Sequence, residues 1–300
     1  MYNQIDSNKR RTWLLIVIFV IIISVLGWFI GYFTDYGPSI LIFAIIFSIL
    51  MALFGYYSGD KVALWSTAAQ PVSHEDNPYV YHLVENLCLA AGLPTPKIYL
   101  INSPAINAFA TGRDPKHSSI AITTGAISRL ENEELEGVIA HELSHVKNYD
   151  IRLMTIVIVL VGIISILANW FFRLRFLGRG SDKEDNQLGL IIMIVGIIFI
   201  ILSPIVAQLI QLAVSRKREY LADASGALLT RYPDGLANAL EKIKNDNEKL
   251  STASTATAHL FIANPLKNSG KIMANLFSTH PPVDDRINKL RQMTRPQATN

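Results

Sequence analysis

The chain has 300 residues, 50% of them hydrophobic and only 17% charged, with a mean hydropathy of +0.30. That length suits one ordinary soluble domain plus several membrane spans, and the composition is too apolar for a purely soluble enzyme. The net charge of +3 is weak and its positive residues cluster beside apolar runs, which argues against a nucleic-acid partner. Cys88 is the only cysteine, so an intrachain disulfide is excluded, and its apolar helical surroundings mark it as a buried structural thiol.

Residues 1–12 are polar and place Lys9, Arg10 and Arg11 just before the uncharged run Trp13 to Ile30. That run is long for the core of a signal peptide, no small-residue cleavage pattern follows it, and a second uncharged run, Ile40 to Tyr57, comes at once. Together they predict a transmembrane hairpin over residues 1–58, with spans at about 13–31 and 39–57. Trp13, Trp28, Tyr32, Tyr36, Tyr56 and Tyr57 sit near its ends, as interfacial aromatics do. The hairpin tip carries no basic residue. The positive-inside rule therefore puts the N-terminus, and the chain after residue 58, in the cytoplasm.

Residues 59–150 have the composition of a soluble domain. Residues 78–91 predict an amphipathic helix that opens on Pro78 and stops at Gly92-Leu93-Pro94. Three β-rich pieces follow, Lys97 to Ile101, Asn107 to Thr111 and Ser119 to Thr124, with Gly112-Arg113-Asp114-Pro115 as the turn between the last two. A small sheet is expected, and a strand on its open edge could pair with a substrate backbone. His74, His82 and His117 have no spacing that suggests a site and are expected to be surface or packing residues.

The next segment carries the chemistry. Leu135, Val138, Ile139, Glu142, His145 and Val146 recur at helical spacing behind the acidic start Glu131, Glu133, Glu134 and Glu136. Inside that helix stands His141-Glu142-Leu143-Ser144-His145, an H-E-x-x-H pattern that puts both imidazoles on one face. Two neutral histidines so placed can share one zinc ion, and Glu142 can reach a water on the metal and take its proton during attack on a peptide carbonyl. A chance H-E-x-x-H on a surface helix is the alternative.

Residues 151–214 hold two more apolar runs, a second hairpin with spans at about 152–172 and 188–212, and Pro204 should kink the latter. Their connection carries Arg173, Arg175, Arg179 and Lys183 on what should be the outer side, which opposes the positive-inside rule. A shallow hairpin, or one partly packed on protein, would account for that. Arg216-Lys217-Arg218 agrees with a cytoplasmic return. The last run is expected to continue as a helix through Ser215 to Ala224, with Glu219 and Asp223 sharing a face. Glu219 is then a third ligand candidate and Asp223 a candidate to accept the free ring N–H of a ligand histidine. In the alternative, both pair with Arg216 and Lys217 on a solvated helix.

Residues 215–300 otherwise give a helix over 233–250, a Ser/Thr/Ala tract at 251–258, His259 in an apolar piece, and the stiff turn Ser278-Thr279-His280-Pro281-Pro282 before a final helix. His280 either faces a cleft or is incidental to that turn. Gating of the site by residues 246–275, or by the His280 turn, is also expected.

Taken in order, these features resemble the HtpX-type membrane metalloproteases and, more distantly, the zinc CAAX-prenyl endoproteases. The resemblance covers the paired spans, Asn107-Ala108-Phe109-Ala110, the His141-to-His145 helix with Asn148 and Asp150 behind it, Ser215 through Glu219 to Asp223, His259 to Leu266, and Ser278 to Pro282. It implies a mainly α membrane protein of about four transmembrane helices with an α+β zincin-like protease domain split between residues 59–150 and 215–300. It further implies one zinc ion per chain on His141, His145 and Glu219, with Glu142 as general base. Asn107, Ala108, Phe109 and Ala110 would line the substrate groove. His280 would lie near the metal, stabilising the transition state or holding an inactive form, and Arg286, at a basic position just after that turn, would help with either task. The implied task is membrane-protein quality control in a stress response. Misassembled membrane proteins would be cut at the cytoplasmic face of a bacterial membrane, overlapping with other membrane proteases. A CAAX-type processing protease and a non-catalytic zinc-containing membrane chaperone or scaffold are the competing readings.

Overall fold

A computed structural model describes residues 2–32, 37–177, 215–254, 256–263, 265 and 281–294. The second span of the second hairpin, its basic connection beyond residue 177, Pro204, His280 and residues 266–275 lie outside the described residues.

Among the described residues, three helices are long and apolar enough to cross a membrane: Ile5–Tyr32 within α1 (Tyr2–Tyr32), all of α2 (Pro38–Ser66), and Asp150–Leu167 within α6 (Asp150–Leu177). α1 buries Asn8, Thr12, Leu15, Phe19, Ile23 and Leu26, a seam at three- and four-residue spacing, while Trp13, Val17, Ile21, Val25 and Trp28 are exposed. So large an apolar surface is stable only against lipid. α2 meets α6 through glycine: a Cβ on Gly59 would lie 2.7 Å from Thr155 Cγ2, and one on Gly55 3.1 Å from Val159 Cγ1. Two small residues four apart let the backbones approach, the usual substitute for hydrophobic driving force inside a bilayer. At the end of these helices nearest the sheet Trp13 stacks on Tyr56, Lys9 lies over Tyr149, Arg152 over Tyr56 and Tyr149, and Arg113 over Tyr57. Aromatic rings and cations of this kind belong at a membrane–water boundary.

Beyond that belt the chain forms β1 (Gln70–Pro71), α3 (Pro78–Ala91), β2 (Lys97–Ile101), β3 (Ala108–Asp114), β4 (His117–Thr123), α4 (Thr124–Arg129) and α5 (Asn132–Lys147). Helix α3 starts where expected. The Asn77 side chain accepts from Val80 N, Pro78 needs no donor there, and Gly92 ends the helix in the left-handed conformation. Its buried face includes Cys88, whose thiol burial pushes up to about 12. The sheet order is β1-β2-β4-β3, with β2 parallel to β4 and β3 antiparallel to it. After α6 come α7 (Arg216–Thr230), α8 (Pro233–Asn245), a short 3₁₀ turn at Ala258–Leu260 and α9 (Val283–Thr294).

Three expectations change here. The turn expected at residues 112–115 is tighter, because β3 runs on to Asp114, whose Oδ1 accepts from the backbone of Lys116 and His117 at 3.0 Å and closes the hairpin. Gly112 bulges on the way at φ 139, where a Cβ would sit 2.3 Å from His117 O. β3 is an edge strand, but its edge is not open. Ala108 O accepts from Ile262 N at 3.1 Å, Ala110 N donates to Glu142 Oε2 at 2.9 Å, and Gly112 N donates to Thr155 Oγ1 at 3.1 Å. Helix α7 begins afresh at Arg216, since Ser215 is extended (φ −96, ψ 128).

Candidate metal centre

Helix α5 is set by its first turn. Glu131 and Glu134 form a reciprocal capping box, Glu133 and Glu134 complement the dipole, and Lys242 on α8 pairs with Glu134 at 2.7 Å. From Gly137 to Val146 every side chain is buried, so the helix is covered all round by α3, the sheet, α7 and α8. His141 and His145 therefore lose water, and their ring nitrogens must find partners inside the protein.

Each Nδ1 meets a carboxylate. His141 Nδ1 lies 2.9 Å from Asp223 Oδ1, and His145 Nδ1 lies 3.0 Å from Asp150 Oδ2. The two Nε2 atoms then face each other at 3.2 Å, with Glu219 Oε1 at 3.4 Å from His145 Nε2 and Glu219 Oε2 at 3.8 Å from His141 Nε2. The three potential ligand atoms all lie within 4.8 Å of one another. Tetrahedral zinc, with ligands at about 2.0–2.2 Å, needs them about 3.3–3.6 Å apart, and these residues fit it. Glu219 and Asp223 are almost fully buried, whereas Arg216 and Lys217 face solvent.

Arg286 is fully buried. Its guanidinium forks onto Asp223, with Nη2 at 2.7 Å from Oδ1 and Nε at 2.9 Å from Oδ2, while Nη1 donates to Ile262 O at 3.0 Å. It stands behind Asp223, holding that carboxylate in place. Burial opposes ionisation of Asp223, but Arg286 and His141 outweigh it and hold the carboxyl at about 2. Burial lowers His141, and the positive Arg286 adds to this against the pull of Asp223. For His145 burial also works downward, but the Asp150 hydrogen bond and the charges of Glu219 and Asp150 lift it to about 9. Burial pushes Glu142 up to about 8, with Glu219 adding to it.

Asn107, Ala108, Phe109 and Ala110 are all buried. Asn107 Nδ2 donates to Ala263 O at 3.1 Å and Phe109 packs edge-on to Phe261 at 5.0 Å, so these side chains are spent on packing. His259 is buried against Met154 O at 3.1 Å, a packing role. His74 and His82 touch each other on the surface, and among the described residues they belong to no group of three metal donors.

Sequence reasoning missed three things. Asp150 was visible as the acid that opens an apolar run, but nothing local tied it to His145. Asn8 lies 142 residues from Asp150, to which its Nδ2 donates at 2.7 Å. Gly226 had a signal, because Glu219, Asp223 and Gly226 share one face at i, i+4, i+7. A Cβ on Gly226 would lie 3.0 Å from His141 N and 3.2 Å from Ala140 C, so the missing side chain lets α7 lie against α5. Gly226→Ala is expected to cost about 1–3 kcal/mol and to loosen metal retention, because Glu219 and Asp223 move with the helix. Thermal unfolding and zinc content check this, and wild-type values for both would show that the helices part freely.

An H-E-x-x-H helix with a buried third carboxylate, a small sheet beside it and helices able to cross a bilayer define a membrane-bound metallopeptidase. Residues 74–294 match the peptidase family M48 profile, and the chain belongs to that family. It is 46% identical over 298 residues to the protease HtpX homolog of Caldanaerobacter subterraneus subsp. tengcongensis, covering 98% of each chain. It is 44% identical over 293 residues to that of Dictyoglomus thermophilum, covering 97% of this chain and 94% of the relative. In structure it is similar to S. mikatae Ste24p, with a TM-score of 0.49 and 19% identity over 97% of this chain and 67% of the other.

Proposed function

We propose that this protein is a zinc-dependent endopeptidase that cuts misassembled membrane proteins at the cytoplasmic face of a bacterial membrane, as quality control. The observation that carries the reading is the composition of the buried cluster. It holds three ligand candidates and, beside them, a fourth group, Glu142, that is not one of the three. A structural zinc usually takes four protein ligands and needs no such neighbour.

In this reading His141, His145 and Glu219 hold the metal, Asp223 and Asp150 fix the two imidazoles through Nδ1, and Arg286 positions Asp223. Bound zinc would supply Lewis acidity, lowering the pKa of a coordinated water to about 7 and polarising the scissile carbonyl. Glu142 takes the proton of the attacking water and passes it to the leaving amine. Ala110 N, 2.9 Å from Glu142 Oε2, holds that carboxyl at the strand where the substrate backbone would run. A substrate backbone at residues 107–110 would have to replace Ile262 N on Ala108 O and Glu142 on Ala110 N, and recognition through such backbone hydrogen bonds suits substrates chosen for being unfolded. Lys9, Arg10 and Arg11 before the first span support a cytoplasmic site, and the aromatic belt beside Tyr149 supports a site close to the bilayer.

Cleavage of an unfolded membrane protein by the purified chain in detergent is expected to stop on chelation and return with zinc. Protease accessibility in inverted and right-side-out vesicles tests the orientation. Cleavage that survives chelation, or a domain protected in inverted vesicles, would remove the corresponding half of the proposal.

A further inference from the structure

We propose that Asn8, on the first membrane helix, is a positioning residue of the metal centre: it holds Asp150 so that Asp150 can hold His145. This rests on the reading that His145 is a zinc ligand. Asp150 is 2% exposed, and a carboxylate so far from water needs donors on both oxygens. Oδ2 faces His145 Nδ1 at 3.0 Å. Oδ1 accepts from Asn8 Nδ2 at 2.7 Å, with Arg218 Nη1 farther off at 3.4 Å.

The Asn8 amide is fully used. Its second N–H donates to Asn148 O at 2.9 Å, and Arg218 Nη1 lies 3.4 Å from its Oδ1. A flipped amide would turn its oxygen onto the Asp150 carboxylate, so these neighbours define one orientation. Asn148 caps the C-terminus of α5, and left-handed Tyr149 (φ 59) turns the chain into α6. One side chain from α1 thereby ties together the end of the ligand helix and the carboxylate that fixes the ligand's ring. Asn8 opens the buried seam that Leu15, Phe19, Ile23 and Leu26 continue, so the chemistry-bearing end of α1 is placed by the membrane-packed remainder. The first membrane helix is thus part of the metal centre, in addition to being an anchor.

A packing role alone would show in the melting of the metal-free form, whereas a positioning role also moves zinc release and the spectrum of the bound metal. The test uses the full chain in detergent. Zinc release into a chelator and the visible spectrum of the cobalt-loaded form are followed, with melting of the metal-free form as the fold control. Asn8→Asp turns the donor into an acceptor and is expected to speed zinc release about 10–100-fold, as loss of an outer partner does, and to shift the cobalt bands. Asn8→Ala is expected to fall between that and wild type. The double variant Asn8→Asp/Asp150→Asn lets donor and acceptor trade places and should release zinc more slowly than Asn8→Asp alone. Should Asn8→Asp fail to fold, Asn8→Ala against the double variant decides the matter. Wild-type release rates and an unshifted spectrum in the Asn8 variants would overturn the proposal. A wild-type chain that holds no zinc would instead overturn the ligand assignment beneath it.

Discussion

Replacing Glu142 by glutamine is expected to remove turnover while leaving zinc in place. The amide fills the same volume and its oxygen can still accept from Ala110 N, which lies 2.9 Å from Glu142 Oε2. What it lacks is the ability to take a proton from the attacking water. Positioned acid–base groups contribute about 10²–10⁴-fold, so the loss should fall in that range. Burial already pushes Glu142 up to about 8, so in the metal-free protein at neutral pH this group is largely uncharged. The substitution therefore removes little charge from that form, and its melting temperature should match wild type. A bound dication reverses this, favouring the ionised carboxylate that the reaction needs. Zinc per chain and cleavage rate, measured on one preparation, check the prediction. Turnover at the wild-type rate in Glu142→Gln would mean that another group takes the proton.

The parts of the site written in one helix were legible in the sequence, and the parts that depend on where helices meet were not. His141, Glu142 and His145 follow from periodicity, because a spacing of four fixes a shared face whatever the helix packs on. Glu219 and Asp223 were legible as a pair on one face, but not as to what that face meets, since Arg216 and Lys217 offered a local partner of equal quality. Burial decides it, and burial depends on Gly226 letting α7 approach α5. The edge position of β3 was expected. Its closure was not, because the group that takes Gly112 N is Thr155, 43 residues away on a membrane helix. The apolar runs announced α1, α2 and α6 by length alone. The seam that makes Asn8 part of the metal centre depends on contacts across 142 residues, and no local pattern encodes such a distance.

Glu219→Ala should behave as the opposite of Glu142→Gln, failing in metal retention and in stability together. Glu219 lies 3.4 Å from His145 Nε2, 3.8 Å from His141 Nε2 and 3.7 Å from Arg286 Nη1. It is the carboxylate common to these groups, and removing it leaves buried positive charge with less compensation, a loss of about 3–5 kcal/mol for a broken buried pair. Zinc affinity should fall by more than the about 10–100-fold that loss of an outer partner costs. The protons give a second, independent check. His145 sits at about 9 and Glu142 at about 8 in the metal-free site, so both hold protons at pH 7. A metal binds only the neutral imidazole and favours the ionised carboxylate, so zinc uptake at pH 7 should release about two protons, and apparent affinity should rise as pH rises towards 9. Calorimetry in buffers of different ionisation enthalpy counts them. Glu142→Gln has only the His145 proton to give and should release about one. Equal counts in wild type and Glu142→Gln would show that Glu142 is already ionised before metal arrives, and the burial argument for its proton would fail.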